Sequence, residues 1–156
     1  MKTNLDYDIT PLGMLNNSKI WYGLYRQNIN LGTAEKVIAI YCLLIGLEMY
    51  LKSYLILLNK EKYSFDSELQ SLGHKFENVL NAIKKEKDPK LLGQIVTLVE
   101  KYDLLLIDTN SLRYPKKGDT FLRHDNYLKS YNEFDDLFDA ITSEVSLGIV
   151  NKFYAK

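Results

Sequence analysis

Apolar residues recur along most of this chain at helical spacing, and no stretch alternates convincingly with period two. Thr10-Pro11 reads as an N-cap with proline at the first helical position, and Leu12, Leu15, Trp21, Tyr22, Tyr25 and Ile29 supply apolar positions for a first helix. Asn28 to Gly32 is a predicted turn. Thr33 is then the predicted cap of a second helix running to about Asn59, apolar nearly all round, as a helix surrounded by others must be. Lys60 to Gln70 is polar, a loop or a short frayed helix. Leu72, Phe76, Val79, Leu80 and Ile83 predict a third helix, and Lys84 to Lys87 a solvated end and turn. Asp88-Pro89 reads as an acid cap before a proline, restarting the chain into a fourth helix through Leu91, Leu92, Ile95, Val96, Leu98, Val99 and Tyr102, ending near Asp108. The longest irregular segment follows, Asp108 to Asp125. Tyr127, Tyr131, Phe134, Phe138, Ile141 and Val145 then step by four, three, four, three and four, a heptad-like stripe that continues past Gly148 to Phe153. The predicted architecture is all-α: an up-and-down helical bundle of four to five helices forming a single domain over residues 1–156.

Composition narrows this picture. At 156 residues and 46% apolar content the chain can bury a core without disulfides or metal. Its 20 Lys plus Arg balance 20 Asp plus Glu, so no global field draws it to nucleic acid or an anionic membrane; such contact has to come from a local patch. The single cysteine, Cys42, excludes an internal disulfide and fits a reducing compartment. Met1 to Thr10 carry charges and no apolar run, unlike a secretory signal. Val37 to Leu58 is the segment most like a membrane span. Glu48 and Lys52 sit in its middle, where each would cost several kcal/mol in lipid, so it is expected to be a core helix of a cytoplasmic protein with no membrane partner.

Several chemistries find no support. His74 and His124 lie fifty residues apart with no second ligand at metal-binding spacing, and no glycine-rich phosphate loop occurs, so neither metal nor cofactor is expected. Cys42 lies mid-way along the most apolar helix, the place of a structural thiol. Asp135 and Asp136 are adjacent, hence differently directed on a helix, and read as solvated surface between core aromatics.

Three constellations remain. Glu48 and Lys52 are four apart in the favourable order, acid first, and can pair along one face. His74 is placed in the opening turn of the third helix, near unpaired backbone N–H groups. Arg113, Tyr114, Pro115, Lys116 and Lys117, followed by Arg123 and His124, gather cations on one irregular segment of a neutral chain. Arg brings a planar fork for phosphate and Tyr a stacking face. Each also has a structural reading: an ion pair at the core rim, a histidine bonded to a neighbouring helix, and a solvated connector.

In this order the three features resemble the HEPN family of small helical bundles. The central-helix pattern is matched over Ile40 to Leu55, with Glu48 and Lys52 at its acidic and basic positions and Leu51 and Leu55 beside them. The turn histidine is matched by His74 with Phe76 and Leu80, and the later Tyr and Arg-Tyr-Pro features by Tyr102 and Arg113-Tyr114-Pro115. The resemblance spans roughly residues 33–150. Many such proteins are metal-independent RNases with an Arg and a His separated by four to six residues. Here Arg113 and His124 have ten residues between them and Arg123 abuts His124.

The resemblance therefore implies a non-catalytic module that binds a nucleotide or RNA, or a protein partner, as an accessory to a nucleotidyltransferase or to a toxin–antitoxin or defence system. Arg113, Tyr114 and Lys116 would meet the ligand, with Glu48, Lys52 and His74 supporting the pocket. A second expectation is an RNase with an unconventional site of Arg113, Arg123 and His124. A third is a structural adaptor, since tyrosine-rich helices suit a homodimer interface.

Overall fold

The computed structural model describes residues 10–63, 66–106 and 131–154. Among them the fold is all-helical, with no strand. Five helices have nine residues or more: α1 (Pro11–Asn28), α2 (Thr33–Leu58), α5 (Phe76–Lys84), α6 (Leu92–Lys101) and α7 (Tyr131–Tyr154). Two short ones, α3 (Lys60–Tyr63) and α4 (Asp66–Ser71), occupy the polar stretch after α2, and a 3-10 turn, Leu104–Leu106, follows α6.

Helix α1 begins as its sequence predicts. The Thr10 hydroxyl accepts from the Gly13 N–H at 2.9 Å, and Pro11 fills a position whose missing donor costs nothing. The helix buries Leu15, Ser18, Tyr22 and Tyr25 against α2. Small residues set how near the two helices come. A Cβ built on Gly46 of α2 would lie 3.2 Å from the Tyr22 backbone nitrogen and 3.5 Å from the Ser18 carbonyl oxygen. Ser18 folds its hydroxyl back onto the Leu15 carbonyl at 2.6 Å, which satisfies it inside the contact.

Helix α2 runs through the centre, against α1, α5 and α7. It is the one helix among the described residues long and apolar enough to cross a membrane, with a mean hydropathy of 1.6 over Glu35–Leu58. Its most apolar window is 78% buried in the fold, as a core helix requires. Helix α7 closes the other side through an aromatic cluster. Phe138 stacks on Tyr50 at 4.2 Å between centroids and meets Tyr22 edge-on at 4.1 Å, while Phe134 lies 5.3 Å from Tyr102. Phe134, Phe138, Ile141 and Val145 are all buried, so these members of the heptad-like stripe do face the core. Cys42 is buried as well, and burial raises its thiol pKa.

The boundaries correct the sequence expectations in four places. The cap of α2 is Gly32, with Thr33 already inside the helix. The third long helix starts at Phe76 rather than Leu72, because Gly73 adopts a left-handed backbone (φ 61°) that no continuous helix can hold. Asp88 does not cap α6. It too is left-handed (φ 50°), unlike the extended backbone of an N-cap, and the chain turns through Pro89 to Leu91 before α6 opens at Leu92. The Leu91 N–H is taken by the buried Tyr54 hydroxyl at 3.2 Å. Finally α6 stops at Lys101, after which Asp103 turns left-handed (φ 50°), well short of Asp108.

Candidate functional site

Glu48 and Lys52 occupy successive turns of α2, so helix geometry alone puts their side chains on one face. Each is only 8% exposed, and burial there demands full pairing. Lys52 Nζ donates to Glu48 Oε1 at 2.6 Å and to the Gly73 carbonyl at 2.9 Å. The second bond ties the middle of the fold to the turn before α5. Within that turn, Asn78 of α5 donates from Nδ2 to the Leu72 carbonyl at 3.0 Å. Two successive carbonyls, of Leu72 and left-handed Gly73, are thus held by side chains from two helices, α5 and α2.

His74 follows directly. Its Nδ1 lies 3.2 Å from the same Glu48 oxygen that Lys52 grips, and with a carboxylate as acceptor the ring proton belongs on Nδ1. The imidazole side chain is otherwise 85% exposed, which leaves Nε2 open to solvent as an acceptor or proton carrier. His74 therefore stands just outside α5, whose N-cap is Lys75, instead of in its first turn. Three of the residues singled out in the sequence converge although 26 positions separate Glu48 from His74. Their roles divide. Lys52 is engaged inward, Glu48 is shared, and His74 alone presents chemistry to the outside.

No protein-family model matches the chain, nor does any curated protein or solved structure. Arg113, Tyr114, Lys116, Arg123 and His124 lie outside the described residues. Among the described residues no three His, Cys, Asp or Glu side chains gather as a metal site would need.

Sequence reasoning missed two further clusters, both on α7. Asp135 is not a simply solvated acid: it accepts from the Tyr22 hydroxyl and lies 3.8 Å from Arg26. Burial and the adjacent carboxylate push the Tyr22 phenol far above its ordinary range. Glu133 accepts from Tyr102 and from Lys101 Nζ at 2.6 Å, which lowers its pKa and raises that of Lys101. The available signal was position. Glu133 and Asp135 flank Phe134 of the stripe, so both stand at the rim of the core where buried tyrosines need acceptors. Asp136 is exposed, as expected.

Proposed function

We propose that this chain is a non-catalytic helical binding module of the HEPN type, with a HEPN-like core over about residues 33–150, taking a nucleotide or RNA on the face that carries His74. The observation that carries the reading is the convergence of Glu48, Lys52 and His74, the motif residues of the resemblance, at one place on the fold. Glu48 orients the imidazole so that Nε2 can meet a phosphate or base edge, while Lys52 balances the carboxylate from inside. Arg113, Tyr114 and Lys116, with Arg123 and His124, supply the phosphate fork and stacking face that the described site lacks. The module works in the cytoplasm as a homodimer, accessory to a nucleotidyltransferase or a toxin–antitoxin or defence system, with a protein partner as the other kind of ligand.

A thermal-shift panel of nucleotides and short RNA tests this on wild type, His74→Ala and Arg113→Ala. A ligand at a hundred times its Kd adds about 2.7 kcal/mol, roughly 5–10 °C for a domain of this size. The shift is expected in wild type and reduced in both variants. No shift with any ligand overturns the reading.

A second reading has one observation in its favour. A carboxylate on Nδ1 with Nε2 free is also how a general base is held. Metal-independent RNA cleavage abolished by His74→Ala or His124→Ala would support it over the first.

A further inference from the structure

Helix α5 divides its residues cleanly. Val79, Leu80, Ala82 and Ile83 are buried, while Asn78, Asn81 and the C-cap residue Lys85, spaced by three and four, are exposed. These three line one wall of an open groove of about 320 Å³, whose other walls come from α3 and α4. The volume is at the low end for small-molecule sites. The groove is not a solvated dent between unrelated charges. Asn78 is fixed by its bond to the Leu72 carbonyl, and Lys62 lies across the buried Tyr63 ring, its Nζ 5.0 Å from the centroid. The side chains of Asn81 and Lys85, by contrast, make no hydrogen bond or ion pair among the described residues. Among the described lining residues Glu68 is the lone carboxylate, against the two ammonium groups of Lys62 and Lys85.

We propose that this groove binds a small phosphorylated polyol, of the sugar-phosphate class. Among the described lining residues two cations stand against one acid, within a chain of zero net charge, which favours an anion over a neutral sugar. The groove is larger than one phosphate needs, and Glu68 would repel a bare anion. A ligand hydroxyl donating to Glu68 turns that repulsion into recognition, with Asn81 offering a second amide contact. Among the described lining residues Tyr63 is the only aromatic, and at 3% exposed beneath Lys62 it offers no stacking face, which disfavours a nucleobase. This site is separate from the His74 face. The two meet at Leu72 and Asn78, which line the groove and also brace the turn that Lys52 holds at the Gly73 carbonyl.

The test is an amide NMR titration of the full chain with glucose 6-phosphate, compared with glucose and with inorganic phosphate. Saturable shifts confined to residues around Lys62, Glu68 and Lys85 are expected with the sugar phosphate, and much weaker binding with either of its halves. Lys85→Gln and Asn81→Leu, both at exposed positions, are each expected to weaken binding about tenfold or more. Lys101→Gln, on a different helix, should leave it unchanged. Absence of saturation at millimolar glucose 6-phosphate overturns the proposal. So does equal binding of inorganic phosphate or glucose, or unaltered affinity in Lys85→Gln. Loss of nucleotide binding at His74 would leave all of these outcomes unaffected.

Discussion

Lys52 reaches across twenty-one positions of sequence to donate to the Gly73 carbonyl at 2.9 Å, while the same ammonium holds Glu48 at 2.6 Å. One buried side chain thereby joins the central helix to the turn that presents His74. The cost of burying two charges is offset because each is paired with the other and further hydrogen-bonded, Lys52 to Gly73 and Glu48 to His74.

Removing one partner should therefore be worse than removing both. Lys52→Met leaves Glu48 buried without its cation and frees the Gly73 turn, and is expected to cost about 3–5 kcal/mol. The double variant Glu48→Leu/Lys52→Met should recover most of that loss. Urea unfolding of the three proteins measures it. Equal stability of single and double variants would mean the pair is not coupled.

Two glycines in neighbouring helices should respond differently to the same change. A Cβ at Gly23 meets nothing within 4 Å, so Gly23→Ala is expected to stabilise α1 by up to about 1 kcal/mol. At Gly46 the new methyl lies 3.2 Å from α1 backbone, which cannot swing aside as a side chain can. Gly46→Ala should lose that gain, and Gly46→Val should destabilise by about 1–3 kcal/mol through overpacking. Thermal unfolding checks both. A more stable Gly46→Val would contradict the close helix contact.

The buried phenols set an alkaline limit. Tyr22, Tyr50 and Tyr54 all have raised pKa values in the fold, burial being the largest cause in each. The unfolded chain ionises near the ordinary value of 10.0, so the neutral phenols contribute stability that is complete below about pH 10. That stability is lost as pH rises beyond it toward the folded values. Each such phenol steepens the decline by up to about 1.4 kcal/mol per pH unit. Tyr22→Phe should be less stable than wild type at pH 7 by about 1–2 kcal/mol, having lost its bond to Asp135, yet decline less steeply between pH 10 and 11. Urea melts across that range measure the two slopes, and parallel curves would remove Tyr22 from this account.

Period was the legible part of the fold. The apolar second helix, the stripe through Phe134, Phe138, Ile141 and Val145, and the Glu48–Lys52 pair all follow from repeats along one helix, which sequence states directly. Boundaries were less legible, because Asp88 and Asp103 take left-handed backbones that glycine usually announces. The site was half legible. Glu48, Lys52 and His74 could be singled out by residue type, but their meeting depends on how the Gly73 turn packs against α2. The Tyr22–Asp135 and Tyr102–Glu133 bonds span 113 and 31 positions and leave no periodic trace. Arg113, Tyr114, Lys116, Arg123 and His124 fall outside the described residues.

Fluorescence anisotropy with a short labelled RNA, run at low and high salt on wild type and His74→Ala, bears most directly on the proposed function. The probe is recovered afterwards on a denaturing gel. Saturable, salt-sensitive binding is expected, weakened about tenfold by His74→Ala, with the RNA intact. Binding that His74→Ala leaves unchanged, or no binding by wild type at all, would contradict the account; RNA cut by wild type but not by the variant would replace a binding module with a nuclease.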